Sequence, residues 1–218
     1  MTQVSTQPPS PQTGSAPAFG AHLADPGPLG LAGFALTTFM LSSFNSGLAP
    51  KSAEVVVLGV ALFYGGIAQL LAGMWEFRNR NVFGATAFST YGAFWMALGI
   101  FIVLAGTTKF VSAYTGGDLT NGLAWFLFAF LMFNTYMLIG SMRVNVAVFL
   151  VFLVLEATEA VLVIGFFNLS HGGTPWWLHA GGWLGIATAA VAWYASAAGM
   201  LNGQAGRKVL PVGAPLMR

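Results

Sequence analysis

Residues 146–167 read VAVFLVFLVLEATEAVLVIGFF, an apolar run broken only by Glu156, Thr158 and Glu159. About 20 apolar residues of α-helix cross the hydrocarbon core of a bilayer, so this run is long enough to span it. Reading outward, five further stretches have the same character: residues 29–48, 53–74, 84–105, 122–140 and 178–201. Each is about 20 residues, or about 30 Å of helix at 1.5 Å per residue. Two-residue alternation is not sustained anywhere, which argues against a membrane β-barrel. The expected fold is therefore an all-α integral membrane protein with six transmembrane helices. Its composition agrees: charged residues make up 6% and hydrophobic residues 56% of the 218, with a mean hydropathy of +0.75. A soluble domain carries about a quarter charged residues, so this chain lacks the polar shell that water demands.

The segments between the spans hold the punctuation, such as Pro50-Lys51, Arg78-Asn79-Arg80 and His171-Gly172-Gly173-Thr174-Pro175. Residues 1–18 are rich in Pro, Ser, Thr and Gln without a charge, and read as a flexible tail. They lack a basic stretch followed by an apolar one, so no secretory signal is expected and the mature chain is expected to start at Met1. Residues 19–203 form the expected six-helix domain, and 204–218 a short basic C-terminal tail. With six spans, Arg78, Arg80, Arg143, Arg207, Lys208 and Arg218 share one side, against Lys51 and Lys109 on the other. The positive-inside rule then puts both termini in the cytoplasm, with the plasma (inner) membrane as the expected location. Trp75, Trp95, Trp176 and Trp177 fall where an interfacial aromatic belt is expected, and glycines such as Gly65, Gly66, Gly182 and Gly185 suit close helix packing.

Several functions are excluded or disfavoured. The net charge of +2 comes from few groups, and no Lys/Arg cluster makes a phosphate-binding face, so no nucleic-acid partner is expected. Without cysteine there is no disulfide, thiolate metal site or Cys nucleophile. His22, His171 and His179 sit at span ends and form no ligand pattern, so no catalytic residue, metal or cofactor is expected.

What remains is the polar content of the spans, where function in a membrane protein is sought. Glu156 and Glu159 are one turn apart on one helix, and a deep carboxylate costs at least about 2.5 kcal/mol. Two readings fit them: a proton- or cation-responsive site in a wet pathway, or a hydrogen-bond clamp between helices or subunits. Thr38 and Asn45 in span one, Gln69 in span two and Thr86 in span three supply milder polarity. Hydroxyls there often bond to their own helix or a neighbour, yet a hydroxyl-rich path with apolar constrictions also suits a small anion or its neutral acid.

Specific motifs sharpen this. Asp25-Pro26-Gly27-Pro28-Leu29-Gly30-Leu31 resembles the Asn-Pro-Ala-Pro-Leu-Gly-Leu signature of the acetate uptake transporters, the succinate–acetate permease family. The likeness continues through Thr37-Thr38-Phe39, through Tyr64-Gly65-Gly66, Gln69, Gly73 and Trp75-Glu76, and along the block from Asn81 to Trp95. Gly181-Gly182-Trp183-Leu184-Gly185, Tyr194 and Leu201-Asn202 resemble the family's last span. The resemblance implies a six-helix protomer in a ring, a homo-oligomer of six, with a conduit through each protomer. It implies transport of acetate and, in some members, succinate or other short carboxylates, by channel or proton-linked carriage. The family's hydrophobic gate of a Phe, a Tyr and a Leu maps onto Phe39, Tyr91 and Leu155, the last from its position in span five.

Pro26 to Gly30 then form an expected anion site at the start of the first helix, where free N–H groups and the positive dipole end meet. Two departures from the family pattern stand out: Asp25 stands where the signature has Asn, and Glu156 and Glu159 stand beside the expected gate. The alternatives are a conduit for another small solute, such as ammonium or a different organic acid, and a non-transporting membrane sensor.

Overall fold

The computed structural model describes residues 23–107 and 116–217. The tail 1–18, His22, Lys109 and Arg218 lie outside the described residues. Among the described residues, six helices are long and apolar enough to cross a membrane. They are α1 (Gly27–Asn45), α2 (Lys51–Arg78), α3 (Val82–Thr107), α4 (Gly116–Ser141), α5 (Val146–Ser170) and α6 (Trp176–Ala205). Most run past the apolar windows that mark them, and two of them begin on polar side-chain caps. Asn145 caps α5 by accepting from the Val148 N–H at 2.9 Å, and Asn81 caps α3 by accepting from Gly84 at 3.1 Å.

Helix α2 is not uniform. It opens with a 3₁₀ segment (Lys51–Val56) and carries a π segment (Phe63–Ala68) at its middle. The π segment contains Gly65 and Gly66, and it meets α1 at backbone range. A Cβ on Gly65 would lie 2.5 Å from Thr37 Oγ1, and one on Gly33 would lie 2.7 Å from the Tyr64 carbonyl oxygen. A wider turn re-aims the carbonyls of that stretch, and the missing side chains let the two helices touch.

The helices close into a ring. α6 packs extensively on both α1 and α5, α5 on α4, and α2 on both α3 and α1. Close approach of α6 to α1 depends on Gly182 and Gly185, whose absent side chains face Ser46 and Ser42. The α3–α4 seam is built differently, with few close backbone approaches. There Phe94 stacks on Phe126 at 5.4 Å and meets Phe130 edge-on at 4.8 Å. Trp95 also belongs to the interior, with 3% of its surface exposed. It sits mid-helix in α3, so it is not a belt residue; Trp75, Trp176 and Trp177 are at least one-third exposed near helix ends, as a belt requires.

The C-terminal residues form a pinned strap rather than a simple tail. Helix α6 ends at Gly206, in the left-handed region at φ 61°. Asn202 then donates to the Leu210 carbonyl at 2.8 Å and accepts from the Val209 and Leu210 N–H groups at 2.6 and 2.8 Å. Tyr194 donates to the Pro211 carbonyl, Ala147 N–H to Val212, and Leu216 and Met217 N–H to Met142. The strap thereby ties the ends of α4, α5 and α6 together.

Candidate functional site

Three cavities lie in series through the ring. An upper chamber of about 280 Å³ lies toward the C-terminal end of α1 and a lower one of about 230 Å³ toward its N-terminal end. A neck of about 20 Å³ shares Phe34, Tyr91 and Leu155 with the upper chamber and Leu31, Ala87 and Phe88 with the lower. A water needs about 10–15 Å³ by this measure, so the neck has room for about one.

One stripe from each of three helices lines the whole path. On α1 it is Pro28, Leu31, Phe34, Thr38, Leu41 and Asn45; on α3, Gly84, Phe88, Tyr91, Trp95 and Leu98. On α5 it is Val148, Phe152, Leu155, Glu159, Leu162 and Phe166. Steps of three and four residues keep each set on one face of its helix. The other helices contribute locally: α4 to the upper chamber, and α6 to the lower with Ala195, Gly199 and Asn202.

This geometry sorts the residues singled out from sequence. Tyr91 and Leu155 meet at the neck, but Phe39 lines none of the three cavities. Its ring packs on Trp193 of α6 at 5.3 Å. Five residues separate Phe39 from Phe34, a rotation of about 140° around the helix, which turns it off the stripe. Phe34 takes the place instead, edge-on to Tyr91 at 5.6 Å. Thr38 and Asn45 line the upper chamber and Gln69 the neck, whereas Thr86 lines none of the three.

The start of α1 differs from the expected anion site. Asp25 Oδ1 accepts from the Gly27 N–H at 2.8 Å, Pro28 has no N–H, and the Gly30 N–H donates to the Pro26 carbonyl at 3.1 Å. Of the amides from Gly27 to Gly30, only that of Leu29 is left for an anion, and Asp25 brings its own carboxylate there. Pro28 lies on the lower chamber wall, and its carbonyl accepts from Ser196 Oγ of α6 at 2.6 Å. These residues shape the lower mouth rather than form an amide nest.

The two glutamates part company. Glu156 faces α4, where its carboxylate accepts from Asn134 Nδ2 at 2.6 Å and Thr135 Oγ1 at 2.7 Å. It is a clamp between helices and does not line the chambers. Glu159 lies on the upper chamber wall just above the neck, with Oε1 at 3.4 Å from the Tyr91 hydroxyl. That hydroxyl is also 2.9 Å from Asn134 Oδ1. A phenol has one proton, and two acceptors compete for it. Thr158 of the same turn is hydrogen-bonded to Thr188 of α6 at 2.9 Å.

Comparison with known proteins matches this architecture. Acetate permease A of Emericella nidulans is 40% identical over 196 residues, which is 87% of this chain but 65% of that protein's length. The succinate-acetate/proton symporter SatP of Escherichia coli K12 is 35% identical over 198 residues, covering 88% of this chain and 96% of SatP. The solved structure of the bacterial acetate channel SatP superposes with a TM-score of 0.78 at 34% identity, over 88% of this chain and 100% of that one. The model of the GPR1/FUN34/yaaH family matches residues 9–214, nearly the whole chain. The protein, with its six helices around a necked conduit, belongs to the GPR1/FUN34/yaaH family.

Proposed function

We propose that this chain conducts short carboxylic acids across the membrane, acetate foremost, through the conduit of each protomer. The observation that carries the reading is the series of two chambers joined at a neck of Phe34, Tyr91 and Leu155. Each chamber is large enough for acetate and several waters, while the neck holds about one water. A permeant must therefore shed its hydration to pass, and an apolar ring at a constriction acts as a selectivity filter. The relatives named for acetate and succinate transport support the substrate class. Their names are those of transporters and a channel, which favours transport over catalysis or sensing.

In this reading the lipid bilayer surrounds a ring of six copies in the plasma membrane. Arg78, Arg80, Arg143, Arg207 and Lys208 lie beside the lower mouth in chain order, which favours that mouth, and both termini, on the cytoplasmic side. The test is uptake of labelled acetate into proteoliposomes, with succinate, lactate and ammonium as competitors. Saturable uptake blocked by unlabelled acetate is expected. Uptake equal to that of empty liposomes would remove the proposal, and block by ammonium alone would replace the substrate.

A further inference from the structure

Tyr91 lines the neck with only 3% of its surface exposed. Its ring is packed among other rings: Phe133 at 5.4 Å, Phe34 at 5.6 Å, and Phe94, Phe152 and Phe130 between 6.3 and 6.5 Å. Such contacts are favourable over a range of separations and tilts, so they leave the pose of the ring open. The hydroxyl closes it. It lies 2.9 Å from Asn134 Oδ1 and 3.4 Å from Glu159 Oε1, and only the shorter distance is usual for an O–H donor.

Asn134 of α4 is fully buried and lines none of the three cavities. Its amide has one orientation that suits its surroundings. Nδ2 donates one hydrogen to the Phe152 carbonyl at 3.1 Å and the other to Glu156 Oε2 at 2.6 Å. Turned over, the amide would set its oxygen against both of those acceptors. Glu156 is held in turn by Thr135 Oγ1 at 2.7 Å. A hydrogen-bonded chain from Glu156 through Asn134 to Tyr91 therefore runs from the α4–α5 interface to the neck.

We propose that Asn134 and Glu156 are positioning residues that set the size preference of the conduit from behind its wall. Glu156 fixes the Asn134 amide, Asn134 fixes the Tyr91 hydroxyl, and the Tyr91 ring sets the width of the neck. Neither positioning residue touches the permeant. With the tether cut, the phenol's remaining partner is Glu159 on the upper chamber wall, and the ring gains freedom to tilt. Where the space holds about one water, a wall that yields admits a wider acid. A clamp that only joined α4 to α5 would change stability and leave the size preference alone.

This inference rests on the conduit carrying short carboxylic acids, and the experiment tells the two apart. Uptake of labelled acetate and of labelled butyrate is measured in proteoliposomes for wild type, Tyr91→Phe, Asn134→Leu, Glu156→Met, Glu156→Gln and the double variant Tyr91→Phe/Glu156→Met. Thermal unfolding of the same proteins is followed in detergent. The butyrate-to-acetate ratio is expected to rise about fivefold in Tyr91→Phe, Asn134→Leu and Glu156→Met, the change that one hydrogen bond makes in an equilibrium. Glu156→Gln keeps an acceptor for Asn134 Nδ2 and is expected to keep the wild-type ratio. The double variant is expected to match Tyr91→Phe alone, because its tether is already cut. Tyr91→Phe and Asn134→Leu carry the test if Glu156→Met does not fold. Wild-type ratios in the folded Asn134 and Glu156 variants would overturn the inference, as would effects of Tyr91→Phe and Glu156→Met that add. Wild-type protein that takes up neither acid would instead overturn the proposed function. The tether would then be judged on the unfolding midpoints, coupled if Tyr91 depends on Glu156 and additive if it does not.

Discussion

Phe34 and Phe39 show how closely a side chain's role depends on its angle around a helix. Both lie in segments of α1 that carry recognisable motif residues, and only the stripe through Pro28, Leu31, Thr38 and Asn45 distinguishes them. That stripe is visible in the sequence as steps of three and four, but it has no direction until α3 and α5 are placed opposite it. Phe34→Ala is expected to widen the neck and raise uptake of butyrate relative to acetate several-fold, whereas Phe39→Ala, against Trp193, leaves that ratio unchanged. Competition in the same vesicles reads both; a widened selectivity in Phe39→Ala alone would reverse the assignment. Glu156 and Glu159 carry the same lesson. Their spacing puts both on one turn of α5 and leaves pathway and clamp open for each, and which of them meets the conduit depends on Asn134 and Thr135 of α4 capturing Glu156. Trp95 differs, because it stands at the middle of the 84–105 run and its distance from either span end was already legible in the sequence.

At the level of the helices, the apolar runs sufficed to count six spans and locate them within a few residues. Their length matches the bilayer, and apart from a closed β-barrel no other element satisfies the backbone there. The π segment in α2 was not legible, because Phe63–Ala68 reads as ordinary helix until Thr37 and Gly33 press against it. Its glycines make a measurable contrast with Gly59 of the same helix, whose Cβ would meet nothing within 4 Å. Gly65→Val must push Thr37 aside and is expected to cost about 1–3 kcal/mol, as overpacking does. Gly59→Ala is expected to be neutral or stabilising, since Ala favours helix over Gly by about 1 kcal/mol. Thermal unfolding in detergent measures the pair; equal midpoints would mean that α1 and α2 do not depend on this contact.

Across the whole molecule, the ring is closed by three kinds of joint. Glycine contacts join α1 to α2 and α6, hydrogen bonds join α5 to α4 and α6, and stacked rings close α3 on α4. The strap is the joint that the sequence hid, because a short basic segment after a last helix reads as a tail. Only the placement of Asn202 against Val209 and Leu210 shows otherwise. Asn202→Ala removes three hydrogen bonds, each worth about 1 kcal/mol, and is expected to raise hydrogen exchange at the Val209 and Leu210 amides by at least about tenfold. Exchange unchanged there would show that Tyr194, Ala147 and Met142 hold the strap without Asn202.

The narrowness of the neck sets the electrical character of the molecule. A bare carboxylate entering a space with room for about one water and walls of Phe, Leu, Ala, Tyr91 and the neutral Gln69 loses most of its hydration without a fixed countercharge. Its undissociated acid loses far less. On the proposed function, a conduit with such a waist would equilibrate the uncharged species, and membrane voltage would do no work on what crosses. The quantity that then drives accumulation is the difference in pH between the two compartments, with the acid trapped as its anion on the alkaline side. A cell that opened this path in acidic surroundings would take in carbon and protons together, one for one.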